Sequence, residues 1–189
     1  GADSGPQCET NRQIGKLGQL RSDSFQRPNT GQIGHAQQQG ANPQIDYDGF
    51  VALTVELKDT REARLIDLDQ FQERAAHPDV IVLDTRSAAA FHQGHIAGAI
   101  NLPFSDFTSV KLEEVLGSDQ NRPILIYCNN NFSDNIAPVI SKKAPLALNI
   151  PTFINLHGYG YTNIWELGDV VSTDDVAWVT PGSFAEEAP

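Results

Sequence analysis

The stretch at residues 124–135, ILIYCNNNFSDN, decides the fold of this chain. It begins with four apolar residues behind Pro123, a pattern typical of a short buried strand. The apolar run ends at Cys128, and the residues after it are mostly polar. In an open parallel sheet, ligands bind at the carboxyl ends of the strands. The stretch therefore predicts a strand that carries a cysteine to the ligand-binding edge of a sheet.

Cys128 is the candidate nucleophile at that edge. The loop after it supplies amide groups that could bind an anion, and it consists of Asn129, Asn130, Asn131, Phe132 and Ser133. The alternative is a buried, inert cysteine, because free cysteine is among the most buried residue types. Since Cys128 follows the apolar run and does not lie inside it, its position favours the nucleophile.

Length and charge limit the class of protein. The chain of 189 residues suits one domain with an extension, or two very small domains, and it can bury a core of ordinary size. Its net charge of −11 makes nucleic acid and anionic membrane surfaces unfavourable partners. No apolar run approaches the ~20 residues that span a bilayer.

Two cysteines, Cys8 and Cys128, are too few for a disulfide framework. They either form one bond or remain free thiols. We expect free thiols, because a bond would require a mobile arm to reach one specific loop.

The beginning of the chain indicates processing. The sequence contains no methionine, and Gly1 is interpreted as a processing or cloning remnant. A cleaved signal peptide is one explanation, and the acidic composition, rich in Gln and Asn, fits an exported bacterial protein. We expect a periplasmic or secreted location, with the cytoplasm as the alternative.

Four segments differ in composition. Residues 1–42 are poor in apolar side chains and rich in Gly, Gln, Asn and Ser, which predicts an extended arm or disorder. Residues 43–63 alternate weakly and are interpreted as a helix or strand packed on the main body. Residues 64–170 carry the regular pattern. Residues 171–189 are acidic and are expected to form an irregular tail.

The regular segment alternates strands with helices. Strands are predicted at residues 65–66, 80–83, 99–101, 124–127 and 152–156. The predicted helices begin after Asp67, after Ser87 and after either Ser105 or Thr108, and a last short helix carries Trp165. This order predicts an α/β fold with a parallel sheet that is covered on both faces.

Residues 80–103, VIVLDTRSAAAFHQGHIAGAINLP, resemble the rhodanese-like family. That family has a strand ending in Asp-x-Arg, a short helix, Gly-His-Ile-x-Gly-Ala and an Asn-x-Pro turn. The matching residues are Asp84, Arg86, Gly94, His95, Ile96, Gly98, Ala99, Asn101 and Pro103. ILIYC is similar to the family's strand before its catalytic cysteine. INLHGYGYTNIW is similar to its closing strand, Gly-rich turn and Trp-bearing helix.

The resemblance implies a central parallel sheet of about five strands with helices on both faces. It also implies a sulfurtransferase that needs no cofactor. In such an enzyme Cys128 would attack a sulfane sulfur and hold it as a persulfide, with the amides of residues 129–133 as donors. The partners would be a small sulfur-containing anion, a thiol acceptor or another protein. The alternative is a non-catalytic rhodanese-fold module for binding or redox sensing.

Three features depart from the family's pattern. No Lys or Arg lies between Cys128 and Lys142, so a dianionic donor has no cation in the loop. Asp134 adds a negative charge beside the loop, which is expected to raise the pKa of the thiol. Pro138 cannot lie deep in a helix, so a helix after the loop would begin at Asn135 and not at Ser133. Together these features predict modest activation of the thiol.

Other matching residues are interpreted as structural. Asp84 and Arg86 are expected to pair or to hold backbone near the end of their strand. His95 is expected to be a hydrogen-bonded structural histidine. His92 and His95 are three residues apart, but no further Cys or His completes a tetrahedral set. We therefore expect no metal site.

Overall fold

The computed structural model describes residues 44–181. The predicted N-terminal arm and Cys8 lie outside the described residues, as does the end of the chain after residue 181. The helices are α1 (Tyr47–Glu62), α2 (Leu68–Ala75), α3 (Ala88–Gln93), α4 (Ser109–Leu116) and α5 (Asn149–Gly158). The strands are β1 (Leu65–Ile66), β2 (Ile81–Asp84), β3 (His95–Ile96), β4 (Ile100–Asn101), β5 (Ile124–Tyr127), β6 (Ile164–Leu167) and β7 (Trp178–Val179).

Five of these strands form one parallel sheet in the order β1-β6-β5-β2-β4. β3 and β7 form a separate antiparallel pair. The predicted α/β fold with a central parallel sheet of about five strands is therefore confirmed. β5 lies at the centre of the sheet, so its carboxyl end, where Cys128 follows, is flanked by strands on both sides.

Side-chain caps begin the helices where the sequence predicts them. Asp67 accepts a hydrogen bond from the Gln70 amide at the start of α2, and Ser87 does the same for α3. Of the two residues considered for α4, Thr108 is the N-cap. The described part of the segment at residues 43–63 contains α1, whose N-cap is Asp46.

Two apolar layers enclose the sheet, because alternate strand residues point to opposite faces. On one face Ile124 and Ile126 of β5 join the buried side chains of α1, α4 and α5. On the other face Leu125 and Tyr127 pack with Phe71 of α2. Helices thus cover both faces, and the carboxyl edge of β5 lies between the two layers.

The prediction of a strand at residues 152–156 is wrong. These residues lie in α5, and the strand beside β5 is β6, which contains Trp165 in place of the predicted helix. The buried side chains Asn149, Thr152, Phe153 and Leu156 are spaced i, i+3, i+4 and i+7, which is a helical period. A short apolar run fits a buried strand equally well, and this ambiguity produced the error.

The segment predicted as an irregular tail contains regular structure in its described part, residues 171–181. It contains β7, in which Trp178 pairs with Ile96 of β3, and the Trp178 ring packs 5.1 Å from the ring of Phe132. Gly94 permits this approach, since a Cβ there would lie 2.5 Å from Nε1 of Trp178. Strand pairing and aromatic contacts hold this segment, and composition alone does not reveal them.

None of the helices within residues 44–181 has the length and apolar character needed to cross a bilayer.

A buried ion pair joins the elements at the carboxyl edge. Arg86 bonds the Asp84 carboxylate through Nε and Nη2, the closest distance being 2.6 Å. The same guanidinium donates to the carbonyls of Gly94 and Pro138. The hydroxyl of Tyr127 donates to Asp84 at 2.6 Å. The predicted pairing of Asp84 with Arg86 is present, and the pair connects β2, β5 and two loops.

We expect Asp84→Asn to destabilise the protein by about 3–5 kcal/mol, because it leaves the charge of Arg86 buried without its counter-ion. The measurement is urea unfolding, read as a shift of the midpoint at constant slope. Lys111→Ala is the control, since it breaks the exposed pair with Glu114 and should leave the midpoint unchanged. Equal midpoints for the two variants would contradict the role of the buried pair.

Candidate functional site

Cys128 follows the last residue of β5 at the carboxyl edge of the sheet, where the sequence predicts it. It is a free thiol, and only 1% of the residue is exposed. The predicted position at a strand end is present, and the thiol is also buried, as in the alternative of an inert cysteine. Cys128 is buried because the start of α5 packs against it. This helix was not predicted from the sequence.

Backbone N–H groups converge on the sulfur of Cys128 from two elements. In the loop, Asn129–Asn131 forms one 3₁₀ turn that directs the amides of Asn130 and Asn131 at Sγ. The start of α5 adds the amides of Leu148 and Asn149. Such a cradle of amides favours an anion at its centre. The sequence identified the two loop donors and missed the two from α5.

Burial opposes this cradle. Removing the thiol from water raises its pKa, and the amides of Asn149, Asn130 and Leu148 lower it only in part. The carboxylate of Glu166 raises it further. The net result is a thiol pKa above the ordinary value, so the thiol is protonated at neutral pH. The expected modest activation of the Cys128 thiol is therefore wrong.

Asp134 does not act on the thiol as predicted. Its carboxylate accepts hydrogen bonds from the amide and hydroxyl of Thr173 and from the hydroxyl of Ser172. The hydrogen bond that the backbone amide of Thr173 donates to this carboxylate is the main reason why the pKa of Asp134 lies below its ordinary value. The charge that raises the pKa of Cys128 belongs to Glu166, on β6. Neighbours in sequence are thus less important here than neighbours in the sheet.

The side chains of the three asparagines in the loop form hydrogen bonds with backbone groups of neighbouring segments. Asn129 donates to the carbonyl of Ile140 at 2.7 Å, and Asn130 exchanges two bonds with the backbone of Lys142. These contacts hold residues 140–142 beside the loop. The side chains of these asparagines therefore have structural partners, whereas the backbone amides of Asn130 and Asn131 face the sulfur.

Asn131 is the most highly connected of the three. Its Oδ1 accepts from the amide of Cys128 and from Nδ2 of Asn149, both at 2.9 Å. Its Nδ2 donates to the carbonyls of Leu167 and Asp169. One side chain thus links the loop, α5 and the end of β6.

Phe132 and Ser133 close the loop and face away from the sulfur. The ring of Phe132 is buried edge-on against Tyr127 and Trp178. The amide and hydroxyl of Ser133 both donate to the carbonyl of Val171. Neither amide is among the donors to Cys128, so these two residues fix the end of the loop.

The helix expected directly after the loop is absent from residues 133–143. Asn135, considered as its N-cap, has a φ of +49°, and the next helix is α5, which begins at Asn149. A left-handed residue interrupts a helix, although Asn tolerates this region better than most residues. The helix N-terminus that faces Cys128 therefore comes from later in the chain.

The remaining predicted residues are structural. Nδ1 of His95 bonds the carbonyl of Phe91 at 2.9 Å, and the two rings stack at 3.7 Å. Within residues 44–181, no group of three or more His, Cys, Asp or Glu side chains could hold a metal.

The chain belongs to the rhodanese-like family. The family model for the rhodanese-like domain matches residues 67–167, which are 101 of the 189 residues. The matched part runs from the N-cap of α2 to the end of β6, so α1 lies before it. A search of curated proteins finds no match.

Solved structures with similar folds include rhodanese-like domains. The domain of the Alr3790 protein from Anabaena sp., determined by NMR, is 19% identical, with a TM-score of 0.44. The match covers 67% of this chain and 84% of that one. The BH2092 protein from Bacillus halodurans is 19% identical, with coverage of 62% and 73% and a TM-score of 0.37.

We expect Asn131→Ala to destabilise the protein by about 2 kcal/mol or more, because it leaves several buried polar groups without partners. Asn129→Ala is the matched control. It removes one hydrogen bond from the same 3₁₀ turn and should cost about 1 kcal/mol. Urea unfolding of both variants measures the difference, and equal losses would contradict the linking role of Asn131.

We expect Cys128 to react slowly with iodoacetamide at neutral pH, with an alkylation pKa above the ordinary thiol value. Asp134→Asn should leave that pKa unchanged, because Thr173 and Ser172 hold the carboxylate. The measurement is the pH dependence of alkylation in a Cys8→Ser background. A lower pKa in Asp134→Asn would show that the charge of Asp134 reaches the sulfur.

Proposed function

We propose that this rhodanese-like chain is a sulfurtransferase that carries sulfane sulfur as a persulfide on Cys128. The observation that supports this function is the convergence of backbone amides from the loop and from α5 on one sulfur. A persulfide anion needs hydrogen-bond donors around it. Such a cradle offers those donors at the end of the central strand.

The proposed reaction has two steps. The thiolate of Cys128 attacks the outer sulfur of a sulfane donor, an S–S bond forms, and the donor's own S–S bond breaks. The remainder of the donor leaves with the electron pair. An acceptor nucleophile then attacks the outer sulfur of the persulfide, and the thiolate of Cys128 leaves. No electron is gained or lost overall, so the cycle needs neither oxidant nor cofactor.

The surroundings of Cys128 limit the donor. A dianion such as thiosulfate meets no Lys or Arg within residues 129–141, and it would have to leave water to reach a buried thiol. A persulfide of a small thiol, or one on a partner protein, carries less charge. We therefore propose a low-charge persulfide as the donor and a thiol or a protein as the acceptor. Because the thiol is protonated at neutral pH, turnover should be slow and should rise with pH.

Incubation with cysteamine persulfide, whose ammonium group balances the charge of the persulfide, should add the mass of one sulfur to the Cys8→Ser protein. Cyanide should then remove this sulfur as thiocyanate. Intact mass spectrometry under native conditions measures the first step, and colorimetric thiocyanate measures the second. Thiosulfate should load the protein more slowly than the persulfide at equal concentration.

Cys8→Ser/Cys128→Ser is the control, and it should gain no sulfur while retaining the same unfolding midpoint. If the Cys8→Ser protein gains sulfur only in denaturant, Cys128 is inaccessible in the fold, and the sulfurtransferase proposal is wrong.

The second candidate is a non-catalytic rhodanese-fold module. The burial of Cys128 and its raised pKa favour this function, since an inert cysteine has the same properties. In that case the sulfur serves only as an acceptor for the unpaired amides of the loop and of the start of α5. The loading experiment separates the two functions, because a purely structural thiol gains no sulfur.

A further inference from the structure

Glu166 is a buried acidic residue close to Cys128, and it pairs with Ile126, two residues before the cysteine. It lies in β6, next to the strand that precedes the cysteine, and only 4% of the residue is exposed. Its Oε1 contacts Nη2 of Arg61 at 2.5 Å. Within residues 44–181, its Oε2 has no hydrogen-bond partner. The carboxylate is thus compensated by one cation on one side only, and a buried charge in this condition acts strongly on its neighbours.

Asn149 connects this carboxylate to the cradle. Its side chain is equally buried. Burial raises the pKa of Glu166, and the positive charge of Arg61 and the nearby side chain of Asn149 oppose this by favouring the carboxylate. The same side chain donates to Oδ1 of Asn131, which in turn accepts from the amide of Cys128. The backbone amide of Asn149 faces the sulfur directly. Glu166, Asn149 and Asn131 therefore form one polar network around the thiol.

We propose that Glu166 is a positioning residue for the cradle and a negative charge that restrains the ionisation of Cys128, and that Arg61 offsets this charge. Arg61 belongs to α1, which precedes the part of the chain that the family model matches. A helix next to the family domain thus sets how reactive the thiol is. Because 26% of the Arg61 side chain is exposed, binding of another molecule to α1 can weaken the ion pair between Arg61 and Glu166.

The other charged or titratable groups around the loop are paired or turned away. Asp84 is paired with Arg86 at the end of β2, and Asp134 bonds Thr173. Lys142 and Lys143, before α5, are exposed. The carboxylate of Asp169, after β6, accepts a hydrogen bond from the amide of Leu68. The last group is His157 on α5. Burial lowers the pKa of His157, so it is uncharged where a thiol titrates. Glu166 and Arg61 remain as the pair that controls the thiol.

The test measures the alkylation pKa of Cys128 in three variants of the Cys8→Ser protein. E166Q removes the negative charge and should lower the pKa by about half a unit or more, which is about a threefold rise in thiolate at fixed pH. R61Q leaves Glu166 without its cation and should raise the pKa by a similar amount. R61Q/E166Q removes both charges and should return the pKa towards the parent value.

R61Q separates an electrostatic role from a structural one. Any variant that merely loosens the site admits water to the thiol and lowers its pKa, because burial is the main cause of the raised value. A raised pKa in R61Q therefore supports the proposal. A lowered or unchanged value overturns it, even if E166Q fails to fold. D134N is the matched control for charge removal and should leave the pKa unchanged.

The role of this pair in sulfur transfer depends on Cys128 being the reacting thiol, as proposed above. Alkylation does not depend on sulfur transfer, so the two proposals can fail separately. If the variants shift the pKa but the protein gains no sulfur, only the proposed function is wrong. If sulfur loading occurs and R61Q lowers the pKa or leaves it unchanged, only the role of the pair is wrong.

Discussion

The buried pair of Asp84 and Arg86 is the constraint on which the site depends. A charged pair without water is stable only when its hydrogen-bonding capacity is satisfied. Here the hydroxyl of Tyr127 and the carbonyls of Gly94 and Pro138 satisfy it. These partners come from β5, from the turn after α3 and from the loop beyond Cys128. Satisfying one ion pair thus fixes three segments around the carboxyl edge of the sheet.

The environment of Cys128 balances two opposing effects. Backbone amides favour a charged sulfur, whereas the absence of water disfavours it, and burial prevails. The same amides that would hold a persulfide include the free donors at the start of α5, which need an acceptor in any case. For this reason a catalytic site and a structural cysteine look alike at this position, and access to the sulfur distinguishes them. Family membership does not decide the matter, because a fold supports many functions.

The network of Arg61, Glu166, Asn149 and Asn131 adds a second level of control. It joins the surface of α1 to the amide of Cys128 through contacts between side chains that are largely buried. Each member lies on a different element, so the network links α1, β6, α5 and the loop after Cys128.

The sequence by itself determined the family, the parallel sheet, the first helix caps and the position of Cys128 at a strand end. These features follow from local patterns: an apolar run, a capping residue, a motif of fixed spacing. Tertiary structure decided that residues 152–156 form a helix, that Asp134 turns to Thr173, and that Glu166 is the charge near the sulfur. Burial and charge at a site depend on distances in space, and residues far apart in the chain set them.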